Sequence, residues 1–215
     1  HIYNSQLELP SHLNTYLGKG WKLNIEQYLY IENGKYVYVD GAGFKHIFEL
    51  LIDNKYYDSS GLGLTLSISS GIKKITDEAG NSLVFENEKM VRIVSSENED
   101  NVKHIVYNSL GKIELIYDGR INQNTMGFYY NGSTGLLNRI TCNFNGKIVE
   151  DVNYYYDLGN NLVKSTRVSE GITKTDFLFK YTGETLNYIV NFEDKKLIKI
   201  GYELSTNKVI SILTG

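Results

Sequence analysis

Apolar and polar residues alternate in short runs along almost the whole chain. Tyr36-Val37-Tyr38-Val39 and Leu62-Gly63-Leu64-Thr65-Leu66 are clear examples, and Asn, Asp and Gly punctuate the runs. A period of two places successive side chains on opposite faces of a strand. No stretch of a dozen residues keeps apolar positions at i, i+3, i+4 and i+7, the spacing with which a helix buries one stripe. The pattern therefore predicts an all-β protein. Asn-Gly or Asp-Gly occurs at Asn33-Gly34, Asp40-Gly41, Asp118-Gly119, Asn131-Gly132 and Asn145-Gly146. These pairs tolerate the positive φ of two-residue hairpin turns.

A second, longer rhythm overlies the first. Leu137-x-x-Ile140 has equivalents at Ile72/Ile75, Met90/Ile93, Ile113/Ile116, Leu162/Ser165, Leu186/Ile189 and Val209/Ile212. First positions follow one another at intervals of 18 to 25 residues. An aromatic precedes most of them by five to seven positions: Phe85, Tyr107, Tyr130, Tyr156, Tyr181 and Tyr202. Gly111, Gly135, Gly159 and Gly183 stand two or three residues before the first apolar position. One unit thus reads as strand, turn and strand. The aromatic ends one strand, the glycine permits the turn, and the apolar pair begins the next strand. Such a unit is too small to hide its own apolar face and is stable only where neighbours stack on it. The competing reading of Leu-x-x-Ile, a helical i, i+3 pair, suffers from the Gly, Asn and β-branched residues crowding these segments. The division that follows is a leading β segment over 1–70 and tandem degenerate repeats over 71–215, continuous with it.

Composition narrows the class further. The 215 residues include 18 Tyr, 20 Gly and only one proline, Pro10, which suits many short strands and tight turns. A net charge of −3 with scattered cations argues against a nucleic-acid-binding face. No apolar run approaches the ~18 residues of a membrane span. Cys142 is the single cysteine, so an intrachain disulfide framework is excluded. The chain opens at His1 without a signal peptide and reads as a mature or excised piece of something longer.

Catalytic patterns are weak. Gly132-Ser133-Thr134-Gly135 is one residue short of a nucleophile elbow and falls where a turn is expected. Gly41-Ala42-Gly43 and Gly61-Leu62-Gly63 lack the third glycine of a dinucleotide loop, and Gly18-Lys19-Gly20 lacks phosphate-loop spacing. His12, His46 and His104 are far apart, with no spacing that holds zinc. Glu97, Glu99 and Asp100 offer paired carboxylates, but Ser95 to Asn101 is polar throughout and reads as a solvated loop. His46 is either a ligand-binding partner of Asp40 or a packed residue beside Phe48, and packing is favoured. The lone tryptophan, Trp21, reads as a core anchor of the leading segment rather than a sugar platform. No catalytic, cofactor-binding or metal-binding residue is expected.

The repeat resembles the YD repeat of the Rhs family, whose form is Tyr-Asp, then Gly-x-Leu-x-x-Ile, then a Gly-rich turn. "YNSLGKIELIYDG" (107–119) and "YYDLGNNLVKST" (155–166) carry the match most fully. "GKGWKLNIEQ" (18–27), "YVYVDGAGFKHIF" (36–48), "YYDSSGLGLTL" (56–66) and "ITDEAGNSLVF" (75–85) are similar to the segment preceding such repeats in Gram-positive wall-associated members. The pattern departs at Asn108, where the family has Asp after the tyrosine. The resemblance implies consecutive antiparallel β-hairpins forming a curved, extended sheet, part of a β-shell. It further implies a secreted or bacterial cell-surface scaffold. Its partner is then the rest of a longer parent chain or a C-terminal toxin region. An alternative is a cell-wall or carbohydrate-binding aromatic repeat module, whose "YY" and "TG" elements recur at 129–135 without its usual Gly-Trp step. In either case the chain is expected to be no enzyme.

Overall fold

The structure is a computed structural model that describes residues 2–3, 9–10, 13, 15–98, 100–120, 124–169, 171–183, 185–191, 196–202 and 209–214. Among them there is no helix. The strands, in chain order, begin with the short β1 (Ile2–Tyr3) and β2 (Trp21–Lys22). Next come β3 (Tyr28–Glu32), β4 (Lys35–Val39), β5 (Lys45–Ile52), β6 (Lys55–Asp58), β7 (Thr65–Ser69), β8 (Ile72–Thr76) and β9 (Ser82–Glu86). β10 (Lys89–Val94), β11 (Val102–Tyr107), β12 (Ile113–Asp118), β13 (Thr125–Tyr130), β14 (Leu137–Phe144) and β15 (Lys147–Tyr156) follow. β16 (Leu162–Ser169), β17 (Ile172–Thr182), β18 (Thr185–Val190), β19 (Lys196–Tyr202) and β20 (Val209–Thr214) complete the series. The chain divides into two compact units, one built mainly from Leu23–Thr125 and the other from Tyr3–Lys22 with Met126–Gly215.

In the unit built from Leu23–Thr125, each strand from β3 to β12 pairs antiparallel with the next. β10 also returns to β3, where Lys89 pairs with Tyr28 and the Leu29 N–H donates to the Glu88 carbonyl at 3.0 Å. Alternation puts Leu29, Tyr38, Phe48, Leu66, Ile75, Phe85 and Met90 on one face across these pairings, and all are buried. That face is the core of the unit, with Tyr38 edge-on to Phe85.

The other unit carries the strands with the longer rhythm, paired antiparallel from β14 to β20. Here a β-bulge recurs, as it does at β9–β10 and β11–β12. Phe85 pairs with Met90, Tyr107 with Ile113, Tyr156 with Leu162, Tyr181 with Leu186 and Tyr202 with Val209. After each pair the register slips by one residue, leaving Val91, Glu114, Val163, Asn187 or Ile210 extra. An extra residue restores the face after three positions instead of two. At Leu162-x-x-Ser165 the spacing is therefore a strand signature with a bulge at its second position, and both residues are buried; Leu137 and Ile140 are both buried too.

Two kinds of connection are used. Asn33–Gly34, Asp53–Asn54, Ser70–Gly71, Asn87–Glu88 and Asn145–Gly146 have positive φ at both positions, as two-residue hairpin turns require. Asp40–Gly41, Asp118–Gly119 and Asn131–Gly132 do not, since neither residue of any of these pairs has positive φ. There the Asp or Asn starts a longer loop and caps it. The Asp40 carboxylate accepts from the N–H of Ala42 and Phe44, at 2.8 and 2.9 Å. Asn108 does the same with Leu110 and Lys112, and Asp157 with Gly159 and Asn161. The left-handed residue is the fourth of these loops: Gly43, Gly111 and, where glycine was expected one position earlier at Gly159, Asn160.

Candidate functional site

The tyrosines that end the repeat strands do more than fill space. Tyr107 Oη donates to the Met90 carbonyl at 2.7 Å, Tyr156 Oη to that of Leu137 at 2.6 Å, and Tyr202 Oη to that of Leu186 at 2.6 Å. Each acceptor is the first apolar residue of the preceding copy. A bulge leaves backbone groups out of the ladder, and a buried carbonyl needs a donor. Each phenol thus ties its repeat to the one before. Burial pushes the Tyr107, Tyr181 and Tyr202 hydroxyls above the usual phenol range, so they remain donors. Tyr130 is half-buried and meets Tyr16 edge-on at 5.7 Å. Phe85 and Leu137 are buried, and Ile140 is 9% exposed.

In the unit that includes Met126–Gly215, Tyr3, Tyr16 and Trp21 lie against the repeats. The Leu137 N–H donates to the Tyr16 carbonyl at 2.6 Å, and the Leu186 N–H to Tyr3 Oη at 3.2 Å. Trp21 is buried, packs edge-on to Phe179 at 4.9 Å and donates its indole N–H to Tyr181 Oη at 2.8 Å. Sequence spacing brings none of these pairs together, because they are more than a hundred residues apart in the chain.

Beside Trp21 opens a cleft of about 400 Å³. Its walls are Phe177, Phe179, Val152, Ile189 and Ile198, with Ser165 among them. Arg167 and Asp176 stand at the polar side, joined at 3.2 Å, and Arg167 also reaches Glu150 at 2.9 Å. The Asp176 carboxylate beside it raises the Arg167 guanidinium further. A second cleft, also about 400 Å³, lies between the Asn131 and Asp157 turns and is lined by amides and tyrosine rings. Asn138, Asn153, Asn160 and Tyr155 line it with those two turn residues.

In the unit built from Leu23–Thr125, His46 is buried and joins two capped loops. Its Nε2 lies 3.0 Å from Asp40 Oδ2 and its Nδ1 3.2 Å from Ser60 Oγ, while Ser60 Oγ also donates to Asp58. Histidine, serine and aspartate are aligned, but Asp40 and Asp58 both cap their own turns. The sequence motifs with catalytic promise fare similarly. Ser133 Oγ donates to Asn131 within its turn. Glu97 and Asp100 are exposed, and Glu99 and His12 lie outside the described residues. His104 stacks on Tyr117 at 4.8 Å. Burial raises the Cys142 thiol, which keeps it in its unreactive form. Among the described residues no cluster of three or more His, Cys, Asp or Glu is placed to hold a metal ion.

No family model and no curated protein matches the chain. Among solved structures, it overlays on TcdB2–TccC3 without its hypervariable C-terminal region at 11% identity and a TM-score of 0.32. That match covers 84% of this chain and 14% of the other. An alternansucrase in complex with isomaltononaose overlays at 14% identity and a TM-score of 0.18, covering 85% and 18%. Both overlaps are loose, and neither assigns an activity to this chain.

Proposed function

We propose that the chain is a structural repeat scaffold, a segment of a secreted or cell-surface Rhs-type protein that forms part of a β-shell enclosing or presenting a toxin or recognition element. The observation that carries this reading is the recurring bond from a strand-ending tyrosine to the backbone of the preceding copy. It engages the phenol oxygens of Tyr107, Tyr156 and Tyr202 in holding one copy to the next. The partner is the remainder of a longer chain or the element that it holds, and the chain itself catalyses nothing. Tyr156→Ala tests the reading. Loss of the ring and its hydrogen bond should cost about 3–5 kcal/mol and open the flanking hairpins to hydrogen exchange first, because repeats depend on their neighbours.

The cleft between the Asn131 and Asp157 turns, lined by amides and tyrosine rings, favours a second reading, a carbohydrate-binding module. Amide groups beside a tyrosine ring suit the hydroxyls and apolar faces of a sugar. If Tyr156→Ala leaves stability within about 0.5 kcal/mol while binding to wall glycans is lost, this second reading replaces the first.

A further inference from the structure

We propose that the aromatic cleft beside Trp21 is a binding site for a small, neutral aromatic molecule that carries one hydroxyl group. This goes beyond the scaffold reading and does not depend on it. The volume, about 400 Å³, falls near the lower end of small-molecule pockets, roughly 300–1,000 Å³. Trp21, Phe177 and Phe179 present three rings, and Val152, Ile189 and Ile198 complete an apolar wall. Edge and face contacts with such rings favour a flat apolar body.

The polar requirement comes from Ser165. It is 1% exposed, lines the cleft, and its Oγ has no hydrogen-bond partner. A buried hydroxyl without a partner is disfavoured, so the position calls for a group that donates or accepts there. The unpartnered hydroxyls of Thr141 and Thr166 do not line this cleft. The local backbone explains the placement. Ser165 pairs with Tyr154 on one side and Phe177 on the other, and a register slip leaves Asp176 extra on β17. Asp176 and Phe177, successive in the chain, consequently both border the cleft.

Charge decides the remaining choice. Arg167 is held by two carboxylates, Asp176 and Glu150, so the polar side of the cleft is not an anion receptor. A phenol is accommodated; an aromatic acid meets excess negative charge.

Trp21 is the only tryptophan of the chain and forms part of the wall, so its emission reports occupancy directly. The probes are p-cresol, toluene and p-toluate, three ring compounds differing in one substituent. A saturable change in Trp21 emission is expected with p-cresol, with toluene about tenfold weaker for want of one hydrogen bond and p-toluate weaker still. In Ser165→Ala, toluene should bind as before and the advantage of p-cresol should vanish. The proposal is overturned if p-cresol gives no saturable change, if toluene or p-toluate matches it on the unaltered protein, or if Ser165→Ala keeps the preference. The comparison on the unaltered protein needs no variant to fold.

Discussion

The ladders of β3–β9 and those of β9–β20 bury their apolar residues in different rhythms. From β3 to β9 only the β5–β6 pairing slips in register, and inward residues recur every second position. From β9 onward a slip lies beside Phe85, Tyr107, Tyr156, Tyr181 and Tyr202, and Leu162 and Ser165, three positions apart, are both buried, whereas Val209 and Ile212 of the last copy are both exposed. Ile72/Ile75 shows what the difference means. It has the Leu-x-x-Ile spacing but sits in a ladder without a bulge, so its two residues point to opposite faces: Ile72 is 40% exposed and Ile75 2%. The same four-residue motif is thus a repeat anchor only where the backbone adds a residue.

The sharpest way to break the comparison is to remove a bulge. Deleting Val163 should turn Leu162 and Ser165 to opposite faces, costing about 2–5 kcal/mol for one misplaced buried leucine. Chemical denaturation reads the effect. A loss below 1 kcal/mol would show that the bulge does not set the face.

Next in size is Gly18→Ala. Gly18 has φ +95°, and a Cβ there would lie 2.9 Å from the Asn160 carbonyl oxygen, against the bulged strand β16. Gly34, at φ +78° in a hairpin turn, has nothing within 4 Å. Both alanines meet left-handed strain of about 1–2 kcal/mol, but only Gly18→Ala adds a clash. Equal destabilisation of the two variants would mean that residues 15–20 do not cover the repeat.

A smaller effect concerns the loop caps. The Asn108 side-chain oxygen accepts two N–H groups as the aspartates do. Asn108→Ala should therefore cost about 0.5–2 kcal/mol, as removal of a comparable cap does, whereas Asn108→Asp should stay within about 0.5 kcal/mol. The reverse ranking in thermal melts would make the departure from Tyr-Asp functional rather than neutral.

The smallest expected effect is acid sensitivity. The Asn81 side-chain amide holds the Asp77 carboxyl below the usual range, Asn161 does so for Asp157, and Lys103 brings Asp118 down to about 2. A carboxyl depressed in the folded state stabilises fully above its unfolded value of about 3.9. That contribution disappears as pH falls through the folded value. The unfolding midpoint should drop between about pH 4 and 2, and Asp157→Asn, which keeps the acceptor oxygen but cannot titrate, should flatten the slope. An unchanged slope would remove Asp157 from the acid response.

By itself the sequence determined strand content, the alternation, the two-dozen-residue rhythm and the position of most anchors, because these follow from side-chain period and local turn chemistry. It showed Tyr107, Tyr156 and Leu162 at their stations, but not that Leu-x-x-Ile marks a bulge, which depends on how two strands register. Asn-Gly and Asp-Gly marked turns without fixing their type: at Asp40 and Asn131 a side-chain oxygen capping the loop outcompeted the two-residue turn. Only the tertiary structure decided that Tyr3, Tyr16 and Trp21 lie on repeats more than a hundred residues away. The cleft with its orphaned Ser165 hydroxyl likewise exists only once β15 to β19 stand side by side, since a concavity is a property of surfaces that the chain brings together and not of any segment within it.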